Sequence, residues 1–381
     1  MTDSTLNRFV SSGTAAERGA FTPNPPTPAS GPDPMYIWTE TDTGDVYVWE
    51  PTNATWLLIS SAAPAAAGVS MPQGRLTLTT GVPVLVTGVT GATTIYYTPY
   101  KGAYVPIWGG ASTTMTLITE LSQTTTDNTK SPAACANNSN YDLFVWSNGG
   151  TKRCTRGPAW TSDTGRGTGA GTTQITRNTD GYYTNTVAIT NGPGAGLGTY
   201  VGTVRTNGAA AVDMIFGGAG AAGGESTNLG VWNMYNRVPR ALLNVDNTDN
   251  WNYTTATWRL KNAGASATAN RITFVIGLQE DEITAVNAVS TTNGGIARAA
   301  SVGLNSTSAY AGFNAPSCFS NEPSVMLCSI YRGLAPLGFN YLAPLEISAA
   351  SGTTTWYGDD GADGTFTTLK IAGLFQASIM A

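Results

Sequence analysis

Apolar and polar residues alternate with a period of two along most of this chain. Residues 75–79, 93–98, 104–108, 115–118 and 141–146 are short runs of β-branched, aromatic and aliphatic residues separated by Gly, Asn and Pro breaks. That pattern predicts strands rather than helices. Residues 82–89 are β-branched around Pro83 and Gly88. The pattern resumes at 199–205, 229–238, 251–260, 271–277, 299–304, 325–331, 339–345, 353–357 and 369–375. Residues 271–277 read as the clearest buried strand. Only residues 280–288 hint at helix, and their β-branched content argues against it. Strands recur roughly every 8–12 residues without a fixed repeat, which predicts a sandwich and excludes a solenoid.

The first seventy residues read differently. Residues 1–20 fit either a short weak helix or an extended arm. Residues 21–34 hold six prolines and no apolar period, so they predict an extended spacer. Residues 35–60 alternate as strand, Gly-containing turn, strand, strand, a small β unit too short to enclose a core. The expected layout is all-β: an N-terminal extended arm (1–34), a small β unit (35–60), an Ala-rich linker (61–72), a β domain (73–165) and a C-terminal β-sandwich, jelly-roll-like (166–381). Phe9 and Phe21 in the arm, with Trp38, Trp49 and Trp56 in the small unit, are the candidate interface residues.

Composition narrows the chemistry. Only 11% of residues are charged, the net charge is −5, and histidine is absent. No Ser-His-Asp or Cys-His pair and no His-ligated metal site is available. The charge balance argues against nucleic acid. No 18-residue apolar stretch exists, so no membrane-spanning helix is expected, and the N-terminus lacks a secretory pattern. Four cysteines, Cys135, Cys154, Cys318 and Cys328, form no C-x-x-C pair. Cys318 and Cys328 flank a candidate turn and are read either as facing each other across a hairpin or as free thiols. The glycines at 165, 167, 169 and 171 lack the strand-to-helix setting of a phosphate loop and read as a turn.

Three acidic groups are weighed. Residues 280–282 are adjacent carboxylates and read as a solvated turn, not as the spaced pair of a glycosidase. Asp359, Asp360 and Asp363 sit in a Gly-containing loop that either binds calcium or simply turns, with no distal Glu to close a calcium loop. Asp246 and Asp249 read as a polar loop. No catalytic, cofactor-binding or metal-binding constellation is expected, and no enzyme. Among ten tryptophans and sixteen tyrosines, Trp232, Tyr235, Trp251, Tyr253 and Trp258 are the densest group. They are candidates for a glycan surface or an interface, with core filling as the alternative.

Several segments resemble a module recurrent in tailed-bacteriophage virion proteins. They are RLTLTTGVPVLVTGVTGATTIYYTPYKGAYVPIW at 75–108, YDLFVWSNGG, TRGPAWTSDTGRGTGAG, NTVAITNGPGAGLGTYVGTV, GVWNMYNRV, WNYTTATWR and TTTWYGDDG. The resemblance covers roughly residues 71–381, and the Pro-rich arm with residues 35–59 is similar to attachment units at the base of phage fibres. It implies a virion structural protein, a fibre or appendage located in the particle and assembled in a host cytoplasm. The expected partners are itself, as a homotrimer, other virion proteins through residues 1–60, and host cell-surface polysaccharide. The alternative is a capsid decoration or collar protein without a receptor role. A polysaccharide depolymerase is the third reading, and it lacks a carboxylate pair to carry it.

Overall fold

A computed structural model gives the structure of residues 8–20, 35–41, 45–50, 55–60, 69–169, 171–217, 220–263, 269–311, 318–358 and 373–381. The fold is all-β. Two units are distinguished, residues 1–69 and residues 70–381.

In the first unit, strands Met35–Glu40, Val46–Glu50 and Thr55–Ser60 pair antiparallel, as alternation predicted. The preceding residues are not a free arm throughout. Arg8–Gly13 pairs parallel with Met35–Glu40, Phe9 opposite Tyr36, and extends the sheet to four strands. A parallel neighbour requires a crossover, and the short helix Ala15–Ala20 begins it. Thr14 and Glu17 form a capping box: the Thr14 amide donates to Glu17 Oε2 (2.7 Å) and the Glu17 amide to Thr14 Oγ1 (3.3 Å). Arg18 then bonds the buried Glu40 (2.7 Å) and lies over the Tyr47 ring. The prolines at 23–34 and Phe21 lie outside the described residues.

Residues 70–381 form several sheets. Gly74–Thr77, Thr94–Pro99 and Leu121–Thr124 make a three-stranded sheet, and Tyr104–Trp108 pairs with Thr113–Leu117. A six-stranded sheet runs Thr151–Ala159, Asn140–Asn148, Thr199–Arg205, Tyr183–Asn185, Ile175–Arg177, with Val231–Asn233 also on the 199–205 strand. The boundary expected at 165 is therefore bridged, because 140–148 and 199–205 pair directly. Val89–Ala92 likewise pairs with Val212–Ile215.

That second pairing belongs to an eight-stranded sheet. Its order is Cys318–Ser320, Arg298–Leu304, Gly338–Ser348, Arg271–Ile276, Ser226–Leu229, Val212–Ile215, Val89–Ala92, with Arg259–Leu260 on the 338–348 strand. Strands 226–229 and 271–276 are parallel, a pairing that a purely antiparallel jelly roll lacks. Facing it is a six-stranded antiparallel sheet. Glu282–Thr292 is its centre, with Leu374–Met380 and Thr354–Tyr357 end to end on one side and Ser324–Leu334 on the other. Pro239–Asn244 and Asn250–Tyr253 complete it. The hint of helix at 280–288 resolves as this strand, which alternates buried and half-exposed residues along its length.

The two faces share a core containing Ile272, Phe274, Val302, Leu342, Ile283, Phe375 and Ile379. Asn287 is fully buried between them and donates to Ser301 O (2.9 Å) and Leu345 O (3.3 Å) across the sandwich. Cys318 and Cys328 are not hairpin partners. Their strands lie in different sheets, opposite Ala300 and Ala288, and the thiol of Cys328 is free.

The Gly-rich segment turns tightly to deliver Arg166. Gly167 has φ +86° with Thr161 and Thr172 packed around it, so a side chain there would collide. Arg166 bonds the fully buried Asp142 through Nε (2.7 Å) and Nη2 (3.0 Å), and its Nη2 also donates to Gly277 O (2.7 Å). Trp160 Nε1 (3.1 Å) and Thr203 Oγ1 (2.7 Å) complete the carboxylate's shell. Removing one member of such a pair leaves a buried charge, which costs about 3–5 kcal/mol. We predict that loss for Asp142→Ala in equilibrium chemical denaturation. A loss below about 1 kcal/mol, the range of an exposed pair, would contradict this structure.

Candidate functional site

The group of five aromatics divides between the core and two regions of residues 70–381. Trp232 is fully buried in the core, so it offers no surface to a ligand. Three positions further on, Tyr235 reaches the wall of an open cleft of about 490 Å³ lined by Met71, Lys101, Arg177, Arg237, Glu280 and Asp281, among others. The chain turns at 234–238 after the strand Val231–Asn233, which carries residues 235 and 237 out of the core.

Arg237 organises this cleft. It bonds Glu280 Oε2 (3.0 Å) and approaches Asp281 Oδ2 (2.8 Å), donates to Met234 O (3.0 Å), and its guanidinium lies 5.0 Å from the Trp232 ring centroid. The solvated acidic turn expected at 280–282 is thus tied down at two of its carboxylates. The third, Glu282, pairs with Arg332 instead. Burial raises the Asp281 carboxyl above its ordinary range, with Arg237 opposing it. The Tyr235 hydroxyl accepts the Tyr183 amide (2.9 Å), and burial pushes its pKa up. Two adjacent carboxylates sharing one guanidinium do not make the spaced acid and base that glycoside hydrolysis needs. What the cleft offers is hydrogen bonding around a tyrosine wall, with Lys101 and Arg177 at its margin.

Trp251, Tyr253 and Trp258 gather elsewhere, around a buried ionic cluster. Glu346 is fully buried on the 338–348 strand. It accepts Trp251 Nε1 (2.8 Å to Oε2), pairs with Arg259 (2.7 Å) and accepts the Asn262 amide (3.3 Å). Arg259 in turn lies 3.6 Å from the Tyr253 ring centroid. Trp251 and Tyr253 therefore work mainly as internal supports. Lys261, also buried, stands 5.8 Å from the Trp251 ring centroid, and Asp246 accepts Asn262 Nδ2 (2.8 Å), the Gly223 amide (2.9 Å) and the Thr248 amide (3.0 Å). The polar loop expected at 246–249 is accordingly anchored at a buried carboxylate.

Trp258 differs from these. It is half-buried and meets the exposed Tyr310 edge-on at 5.7 Å between centroids. Trp258 and Tyr341 both pack against the small core of Leu260, Ala343 and Leu345, and Arg271 lies 4.6 Å from the Tyr341 centroid. Tyr310, Tyr341 and Arg271 escaped sequence reasoning because they come from three separate strands or loops, with no spacing to connect them to residue 258.

Trp38, Trp49 and Trp56 do come together in the first unit. Trp38 and Trp56 are 6.1 Å apart and Trp49 and Trp56 5.4 Å, with only Trp38 buried. Leu57, Leu58 and Ile59 follow in an exposed row on the last strand. Asp359, Asp360 and Asp363 lie outside the described residues. Among the described residues no group of His, Cys, Asp or Glu has the arrangement of a metal site. Compared with known proteins, the chain matches no family model and no curated protein.

Burial raises Glu346 from 4.5 to about 7, with Arg259 and the Trp251 bond opposing the shift. A carboxyl whose folded pKa is raised binds its proton more tightly in the folded state. Its contribution is complete below about pH 4.5 and is lost as pH rises to about 7. Burial lowers Lys261, which acts with the opposite sign on the alkaline side. We predict that the stability of the wild type relative to Glu346→Gln falls by up to about 3 kcal/mol between pH 4.5 and 7. Denaturation curves across that range measure it, and a flat difference would refute the assignment.

Proposed function

We propose that this chain is a structural component of a bacteriophage virion, a self-associating fibre or appendage that docks onto other virion proteins through residues 1–60. The observation that carries the docking role is the state of the first unit. Among the residues of this unit whose burial is described, Trp38 and Glu40 alone are buried, while Leu57, Leu58 and Ile59 stand exposed in succession. A sheet with this much exposed apolar surface gains most when a partner covers it. The segment resemblance noted above supplies the particle to which it would attach.

The Trp258–Tyr310 pair supports a contact with host-surface polysaccharide. An aromatic pair half-open to solvent accepts the apolar face of a sugar ring. The cleft at Tyr235 is the second surface of suitable chemistry, with its cations already partly engaged by carboxylates.

Because strand 8–13 belongs to the sheet, the deletion that tests docking removes residues 1–69 as a whole. The remaining chain is expected to be soluble and missing from purified particles. Incorporation at the normal level would overturn the docking role. Quantitative copy number separates the two virion readings: a few sets per particle fit a fibre, and tens to hundreds of copies fit capsid decoration. Trp258→Ala and Tyr310→Ala should each weaken binding of purified host polysaccharide about tenfold, corresponding to roughly 1.4 kcal/mol. Unchanged binding by both variants would remove the glycan role from this pair.

A further inference from the structure

The strand Ser324–Leu334 is the longest edge in the second unit whose outer side is unpaired among the described residues. It runs eleven residues in unbroken register with 282–292, without a bulge or an internal proline. Its inner face buries Leu327, Ser329 and Tyr331. Its outer face presents Met326 at 38% exposure, Ile330 at 48% and Leu334 at 60%, with the exposed Cys328 between the first two. The neighbouring strand continues the apolar row, Val286 opposite Ile330 and Ala288 opposite Cys328. Proteins ordinarily guard such an edge with charge, proline, a bulge or a short strand. The one charge on this strand is Arg332, already paired with Glu282; elsewhere in the sheet Pro239 begins one outer strand, and the other, Asn250–Tyr253, is four residues long.

We propose that the 324–334 edge is a two-fold interface with a second copy of this chain, its strands pairing antiparallel about Cys328. The charges favour a copy over another partner. In this register Met326 meets Ile330 of the second copy, and Cys328 meets its own counterpart. Ser324 meets Arg332, and Glu322, just before the strand, falls on the diagonal from that same Arg332. Each copy thus offers an acidic group to the other's cation, twice by symmetry. Within one copy Arg332 already neutralises Glu282, so identical faces approach without like-charge repulsion. Antiparallel partners stand about 4.5–5.5 Å apart between Cα atoms, within the reach of a disulfide. The contact is argued from the strand itself and is independent of docking by residues 1–60.

The test uses the full chain in reducing buffer. Light scattering gives the mass of the wild type and of Ile330→Lys at tens of micromolar, with circular dichroism confirming that the exposed substitution leaves the fold intact. The variant should show half the mass of the wild type. That halving is expected whether the wild type is a dimer or a larger assembly that this contact joins in pairs. In parallel, after the reductant is removed, brief treatment with copper(II)-phenanthroline under air oxidises apposed thiols, two electrons passing to copper and dioxygen and two protons to solvent. A covalent dimer should appear in the wild type and disappear in Cys328→Ser. A monomeric wild type, a mass unchanged by Ile330→Lys, or a cross-link that survives Cys328→Ser would each overturn the interface. A monomer would return this edge to a partner of another kind.

Discussion

The bond between Asp142 and Arg166 holds together strands that sequence separation would otherwise leave independent. Asp142 lies on a strand of the six-stranded sheet, Arg166 on the Gly-rich turn, and the carbonyl of Gly277 just beyond a strand of the eight-stranded sheet. One guanidinium, flanked by the Trp160 and Tyr200 rings, thereby links three regions. Asp142 is fully buried, so a bond lost there leaves a charge unpaired, which couples the turn to both sheets. Gly277 is required at the junction because a side chain there would strike Tyr200 and Trp232. The same device recurs through the molecule. Arg75 donates to the carbonyl of Ala381 (2.8 Å), a residue 306 positions away, and Arg156 donates to Asp127 O and Ala133 O. A chain that is only 11% charged places several of its charges inside, as pins between loops and sheets, and leaves much of its exterior to Thr, Ser, Asn and Gly.

This distribution explains what the sequence disclosed. Alternation identified the strands at 104–108, 141–146 and 271–277, because each buries one face or both, and it also identified those at 35–60, where few side chains are buried. It misjudged residues 82–89, where Gly81, Pro83 and Gly88 interrupt pairing and Val86 is left exposed. A division at 165 was expected, yet strand 140–148 completes its sheet only with 199–205. Pairing partners so distant leave no local trace. The parallel neighbours 8–13 and 35–40 were hidden for the same reason, although the Thr14–Glu17 capping box was present in the sequence.

The candidate binding residues were legible only in part. Density along the chain grouped Trp232, Tyr235, Trp251, Tyr253 and Trp258, but the turn at 234–238 parts Tyr235 from Trp232, and the other three lie in a different region. Trp232 fills the core, Trp251 and Tyr253 brace Glu346 and Arg259, and Tyr235 and Trp258 open to solvent in separate places. The surfaces left for recognition are therefore small aromatic sites on a rigid frame. The larger apolar surfaces, at 57–59 and along 324–334, suit protein partners better than sugars. An assembly role draws on these large faces and a glycan role on the small ones, so both can reside in one chain.

Residues 70–381 thus behave as one cooperative unit pinned through buried polar contacts. Native-state hydrogen exchange under increasing denaturant, read peptide by peptide by mass spectrometry, tests it most directly. Amides in strands 140–148, 199–205 and 271–276 should converge on one opening free energy and one denaturant dependence. Exchange of strands before residue 165 at a free energy clearly below that of the strands after it would show two separable domains and no single cooperative unit.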